Sequence, residues 1–303
     1  MISATSLAVV ASAAALVLSF LPVWPLALLP HFRIQHAVAA LVLLVAAAGL
    51  RLGRSAVAAA ISLLVLLLCV VPDLASSRRP VPARGTPRRV LLLNVHTSST
   101  AHAEVRALID ETQADIVALV EVDPRWLGEL APSLAAYPAR FEVPRADNFG
   151  MALYAREPFS ATLEELGGGT PTIVATSARA SFVVVHPLPP VSGAALERMS
   201  SQFAATAARV RALPGPVILL GDLNATPWSR ELGALVADTG LCDTRAGFGL
   251  QATFPAWFAP ARIPIDHVLA DCSIGVADRR VERDVGSDHL PVVVDLVLPA
   301  PGR

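Results

Sequence analysis

The chain has no lysine; all 24 of its basic residues are arginine, and no mechanism follows from that choice of cation. Its three cysteines, Cys69, Cys242 and Cys272, are too few and too widely spaced for a zinc centre. Cys69 lies in an apolar run. Cys242 and Cys272 pair if their domain is exported, or stay as buried free thiols if it is not. Aromatic residues make up only 5% of the chain. Trp126, Trp228 and Trp257 are scattered, so there is no stacking platform for nucleic-acid bases. No sequence repeats at a fixed period. A basic footprint is also missing. From residue 90 onward, 16 Arg face 24 Asp and Glu, a net charge of −8, whereas polynucleotide-binding domains carry an excess of positive charge.

What the chain does have is apolar surface. Its 303 residues are 54% hydrophobic, too apolar for an ordinary soluble enzyme of this length. The excess sits at the front, where residues 1–74 carry only Arg33, Arg51, Arg54 and Asp73 as charges. Three apolar segments follow one another: Ile2–Leu29, broken by Pro22 and Pro25, then His36–Leu50 and Ser55–Leu74. A signal peptide explains the first alone but not three in series. The expectation is a membrane region over 1–74 with three transmembrane helices in the lipid bilayer. The alternative is two spans with an interfacial first segment. Arg51 and Arg54 in the short turn between the last two segments favour a cytoplasmic turn, and hence a multi-pass cell-membrane protein with its large domain outside. Arg78, Arg79, Arg84, Arg88 and Arg89 pull the other way, but large domains translocate largely regardless of charge. Residues 75–89, rich in Ser, Pro and Arg, read as a linker, and 90–303 as the folded domain.

Within that domain strand-like and helix-like pieces alternate. Strands are expected at 90–95, 115–122, 149–155, 172–176, 182–187, 216–224, 265–270, 276–282 and 291–298. Helices are expected at 103–113, 125–136, 192–213 and 228–238. Polar residues stand where the apolar runs stop, which is where an α/β scaffold gathers side chains into one site. In GDLNATPWS, Asp222 and Asn224 are two apart in extended chain and share a face; a helix N-cap reads equally well from the same residues. In SDHLPV, Asp288 and His289 precede a strand. Asp266 in PIDHV can orient a histidine, while His267 faces the opposite way and reads as packing. Glu121 ends a buried run, where a carboxylate needs a partner or a metal. Asn94 and His186 are strand-end residues. The Pro-rich string after His186 forms a stiff extended loop that holds the imidazole. Asp147 and Asn148 lie in a polar loop that can reach a substrate, and Arg145 reads as an ordinary surface residue of that loop. The loops 167–170 and 248–263 match no known pattern.

The order Asn94, Glu121, FGMALYAR, His186, GDLN, IDH, SDH over residues 90–298 resembles the endonuclease/exonuclease/phosphatase superfamily, the deoxyribonuclease I-like proteins, and in particular a bacterial branch with N-terminal membrane spans. The resemblance implies a four-layered α/β sandwich, two packed mixed sheets flanked by helices, and hydrolysis of a P–O bond with Mg²⁺ or Mn²⁺. It implies that Glu121 binds the metal with Asn94 adjacent and Asp288 supporting the ion or its water. Asp222 would orient or deprotonate the attacking water. Asn224 and His186 would contact the phosphate, with Asn148 nearby, and His289, held by Asp266, would stabilise the phosphoryl charge. Three functions stay open: a membrane-anchored phosphoesterase acting on a lipid headgroup or small phosphorylated molecule, a membrane-tethered nuclease, and a non-catalytic sensor. Charge balance favours the first over the second, and the complete set of polar residues disfavours the third.

Overall fold

Apolar runs that pack on both faces become central strands, and this chain has enough of them for two sheets. The computed structural model describes residues 3–82 and 84–300; Met1, Ile2, Ala83 and the last three residues lie outside the described part. Seven α-helices run over Ala4–Leu18 (α1), Arg33–Gly49 (α2), Gly53–Leu74 (α3), His102–Thr112 (α4), Pro124–Leu134 (α5), Gly193–Arg211 (α6) and Arg230–Thr239 (α7). Twelve strands run over Gly85–Asn94 (β1), Ile116–Val120 (β2), Ala139–Val143 (β3), Met151–Ala155 (β4), Phe159–Glu165 (β5), Pro171–Ser177 (β6), Ser181–Val185 (β7), Val217–Asp222 (β8), Cys242–Asp243 (β9), Asp266–Ala270 (β10), Gly275–Val281 (β11) and Val292–Pro299 (β12).

The strands form two six-stranded sheets, ordered β11-β12-β1-β2-β4-β3 and β5-β6-β7-β8-β10-β9. β1 and β2 are parallel, as are β7 and β8; the remaining neighbours are antiparallel. Strand alternation then builds the layers. Val90 and Leu92 face the opposite sheet, packing with Ala118, Leu153, Val184 and Leu220. Leu91 and Leu93 face outward against Leu108 of α4 and Trp126 of α5. On the far side, Val183 and Leu219 meet Phe203 of α6 and Leu235 of α7. Each such fully buried side chain contributes on the order of 1.5–3 kcal/mol. The result is the expected four-layered sandwich.

Strands β3 and β5 were not expected from the sequence. Both are sheet edges whose residues alternate between half-buried and exposed, so they lack a continuous apolar run. β1 is also longer than expected. It begins at Gly85, inside the stretch read as linker, and pairs with Pro299 at that end.

Of the three expected membrane helices, two have the length and apolarity that a span needs. Leu26–Gly49, a 3-10 turn over Leu26–Phe32 running into α2, and α3 are long and apolar enough to cross a bilayer. At 15 residues, α1 reaches only about 22 Å, short of the roughly 30 Å hydrocarbon core. It packs beside the other two through Leu16, Ala40 and Leu66. Both ends of the α2–α3 hairpin meet the folded domain. His31 Nδ1 accepts from the Thr226 amide (3.3 Å), Gln35 Nε2 donates to the Pro260 and Arg262 carbonyls (3.3 and 3.2 Å), and Arg245 pairs with Asp73 at 2.6 Å.

Candidate active site

Parallel β1–β2 and β7–β8 pairs bring four strand ends to one edge of the sandwich. Asn94 closes β1, Glu121 follows β2, His186 follows β7 and Asp222 closes β8. Because β10 and β12 run antiparallel to these, their beginnings arrive at the same edge. They bring Asp266 and the 287–290 loop with Asp288 and His289. Topology alone therefore assembles the sequence-predicted residues around one cavity of ≈ 220 Å³, lined by Glu121, Asn148, His186, Asp222, Asp288 and His289 among others.

Asp222 is the hub. Its Oδ2 accepts from Asn94 Nδ2 at 3.1 Å and lies 3.5 Å from both His186 Nε2 and His289 Nε2. Its Oδ1 accepts from the Asn224 amide at 2.9 Å, which turns the chain and leaves Asn224 at φ 49°. Asn224 Nδ2 donates to the Pro187 carbonyl (3.1 Å), fixing it against the Pro-rich loop. Asn94 Nδ2 also donates to Glu121 Oε1 at 2.9 Å, while its Oδ1 accepts from the His96 amide. The Asn94 amide thus turns its nitrogen, not its oxygen, towards the two carboxylates. Glu121 itself sits at φ 62°, a region that a non-glycine residue enters at a cost in strain. Thr97 holds it there, its hydroxyl donating to the Glu121 carbonyl and its amide to Oε2.

His289 Nδ1 is 2.8 Å from Asp266 Oδ2, so the ring spans Asp266 and Asp222. Burial opposes charge on this imidazole, but the two carboxylates outweigh it and push its pKa up to about 10. Burial also pushes the Asp266 carboxyl up; the charge and hydrogen bond of His289 win, and hold it below the usual carboxylate range. For Asp222 burial prevails. His289 pulls its pKa down, Asp266 pushes it up and His186 pulls it down, and the net direction is upward. Two carboxylates with opposite shifts around one imidazolium make a site with divided acid and base roles.

Several contributors escaped the sequence reading. Phe149 packs on His186 (ring centroids 5.3 Å apart) and Phe254 on His289 (4.8 Å). His96 Nδ1 stands 3.5 Å from Asp288 Oδ1. Ser287 Oγ donates to the Asn94 carbonyl and accepts from the His289 amide. These contacts join distant segments, and only the His and Ser beside the Asn94 and SDH motifs carried a local signal. Arg145 is bound to Asp147 in the exposed loop. His267 is fully buried, its Nε2 2.8 Å from the Ala225 carbonyl, on the packing face of β10.

The donors suit a hard divalent ion, which prefers oxygen. Glu121, His186 and Asp222 offer ligand atoms within 4.8 Å of one another, as do Asp222, Asp266 and His289. Asp288 Oδ1 is shielded from solvent and makes no hydrogen bond, only the long 3.5 Å contact with His96 Nδ1. A carboxylate oxygen so weakly partnered can take a cation or its bound water.

Two mixed sheets between helices, with an acid and imidazole cluster at the strand ends, define a class of phosphoester hydrolases. The profile of the endonuclease/exonuclease/phosphatase family matches residues 91–289, and the chain belongs to that family. Its members hydrolyse phosphoesters, often with a metal ion. A search of curated proteins finds no match. Among solved structures, an endonuclease/exonuclease/phosphatase from Beutenbergia cavernae DSM 12333 has 22% identity and a TM-score of 0.56, covering 72% of each chain. A family protein from Bacteroides thetaiotaomicron has 17% identity and a TM-score of 0.57, over 72% of this chain and all of its own. TDP2 from D. rerio, solved with a single strand DNA product, has 16% identity and a TM-score of 0.56, over 70% of this chain and 99% of its own. At these identities the likeness shows the fold alone.

Proposed function

We propose that the protein is a membrane-anchored phosphoesterase that hydrolyses a lipid headgroup or small phosphoester with Mg²⁺ or Mn²⁺. The observation that carries this reading is His289 held between Asp266 and Asp222, beside Glu121, in one acidic cavity.

Glu121 and Asp288 are the residues that would hold the ion, with Asn94 fixing the Glu121 carboxylate. When bound, a divalent ion neutralises phosphate charge and polarises the P–O bond. Asp222 orients the attacking water and takes up its proton. The charged His289 donates from Nε2 to the phosphoryl oxygens, with Asp266 setting the ring's orientation and keeping it protonated. Asn224 and His186 supply further donors, and Asn148 closes the rim. Phe149 and Phe254 limit the motion of the two imidazoles.

The cavity wall carries Glu121, Asp147, Asp222 and Asp288 but no arginine among the described residues. A phosphate entering this wall would need the charge of a cation to offset the carboxylates. With the net charge of −8 beyond residue 90, this favours small or lipid-borne phosphoesters over polynucleotides. A nuclease is the second reading, supported by the DNA-bound neighbour from D. rerio.

Anchoring rests on Leu26–Gly49 and α3 as two bilayer spans. Arg51 in their connecting turn and Arg54 in the first turn of α3 lie at the end away from the domain, which favours a cytoplasmic turn and an extracytoplasmic domain. The Cys242–Cys272 disulfide suits that oxidising side.

The test is Mg²⁺-dependent hydrolysis by the purified full chain, offered phospholipids, small phosphoesters, plasmid DNA, single-stranded DNA and RNA, with Asp222→Ala as control. Turnover of the lipids or small esters, lost in the variant, is the expected result. Cleavage of nucleic acid alone would make it a nuclease, and silence on every substrate would favour a sensor.

A further inference from the structure

A second cavity, ≈ 280 Å³, lies between the Leu26–Phe32 turn and the folded domain. Leu28 and Phe32 form one side of it, and Val191, Ile263 and Ile265 the other. Asn224 and Phe254 line both this groove and the acidic cavity, so the two adjoin. The groove is a built feature. Trp24 Nε1 donates to the Pro190 carbonyl at 3.1 Å, and His31 holds the Thr226 amide, fixing the turn against the domain on either side.

The rim adds an independent observation. Trp257 and Phe258 stack at 5.6 Å and are 76% and 46% exposed, on the loop that Gln35 ties to the start of α2. Val191, across the groove, is 71% exposed. Exposed tryptophan and phenylalanine beside the end of an apolar helix suit the boundary between headgroups and hydrocarbon. A water-soluble ester has no use for such a wall, whereas an amphiphile carries both a phosphate for the polar cavity and a tail for the adjoining apolar one.

We propose that this groove takes the hydrocarbon tail of an amphiphilic phosphoester drawn from the bilayer, while its phosphate enters the acidic cavity. The proposal rests on the phosphoesterase reading and names its substrate class. Phe254, touching both His289 and the groove, divides tail from reacting phosphate.

The test uses the full chain in lipid nanodiscs. Phosphatidylglycerol, phosphatidylethanolamine and phosphatidic acid with medium-length chains are each compared with their deacylated counterparts, which keep the same P–O bonds. The acylated form of the preferred ester should show a kcat/KM higher by about tenfold or more, since a few buried methylenes suffice for that. Val191→Asp and Phe32→Asp, both at exposed positions, should bring that advantage close to parity. Equal turnover of both forms, or an advantage that survives both substitutions, overturns the proposal. A phosphatidylglycerol with a diazirine in one acyl chain gives a readout without catalysis. Label in Leu26–Phe32 or residues 263–265 supports the groove, and label confined to the outer faces of α2 and α3 overturns it. If no ester is hydrolysed at all, the phosphoesterase reading fails, and the label then decides the groove by itself.

Discussion

Asp222 and Asp266 are register partners across the β8–β10 pair, and a single imidazole, His289, reaches both. The two carboxylates are buried alike, yet their pKa values move in opposite directions. The charge of His289 and the direct hydrogen bond that it gives to Asp266 hold that carboxyl down, whereas Asp222 has no such bond from the ring and is pushed up by the Asp266 charge. Asp266 thereby stays charged as the ring's anchor, and Asp222 is left able to carry a proton.

Asp222→Asn keeps the shape and removes the base. The expected outcome is a kcat lower by about 10²–10⁴-fold, the usual effect of deleting a positioned acid or base. Burial of charge is the largest influence on Asp222, so the Tm should hold or rise. Steady-state kinetics with a parallel melt check this. A Tm that falls along with activity would mean that the carboxylate serves the fold instead.

The His289–Asp266 pair makes metal-free protein sensitive to pH at both ends. His289 is raised from 6.5 in the unfolded chain to about 10, so its contribution is complete below 6.5 and is lost as pH rises through about 10. Asp266 is depressed below 3.8, so its contribution is present above that value and is lost as pH falls through its folded pKa. Urea midpoints across the pH range should therefore drop on the alkaline side. In Asp266→Asn that alkaline slope should flatten. An unchanged slope would show that Asp266 does not hold the ring's proton.

Most of the sandwich and the site was legible because the central strands are continuous apolar runs that end in single polar residues. Leu91–Asn94 and Ile116–Glu121 announce themselves in this way. The edge strands β3 and β5 did not, since one face of each meets water and their residues mix charge with apolarity. The aromatic supports Phe149 and Phe254 were hidden for a different reason. Each lies in a loop whose partner is set by tertiary approach, and neither residue's neighbours in sequence hint at an imidazole. The short reach of α1 was masked by the apolar run, which continues to Leu29 although the helix stops at Leu18, ahead of Pro22 and Pro25.

The Cys242–Cys272 bridge closes 30 residues at the end of β10 away from the site. Reducing it, or making Cys242→Ser, should cost about 3 to 4 kcal/mol of stability by the loop-closure argument. kcat of the folded fraction should stay the same, because both cysteines sit beyond the far end of the strand that starts with Asp266. Denaturant curves with and without reductant, paired with rates, check both statements.

Gly221 lies where β8 passes β7. A Cβ there would stand 1.8 Å from the Val185 carbonyl oxygen, which no rotamer can relieve. Gly221→Ala must therefore push β7 and β8 apart, directly beneath His186 and Asp222. A loss of about 3 kcal/mol or more is expected, in line with the larger effects of overpacking. Gly233, on α7 with open space around its Cβ position, gives the control: Gly233→Ala should stabilise slightly or do nothing.

If Glu121 and Asp288 hold the divalent ion, the ion must stabilise the folded state by mass action. Mg²⁺ or Mn²⁺ at about one hundred times its Kd should add about 2.7 kcal/mol and raise the Tm of wild-type protein, and a chelator should reverse this. Glu121→Gln keeps the side-chain size but loses the charge that attracts the cation, and its one amide oxygen can accept from Asn94 or from the Thr97 amide, not from both. Its Tm without metal should fall by no more than one hydrogen bond costs, about 1 kcal/mol, whereas the metal-induced rise should shrink or vanish at the same concentration. Asp288→Asn should weaken the response less if it acts through bound water. Thermal melts over a metal titration separate these cases without any substrate. A full metal-induced rise in Glu121→Gln would remove Glu121 from the ligand set and direct attention to the Asp222, Asp266 and His289 group instead.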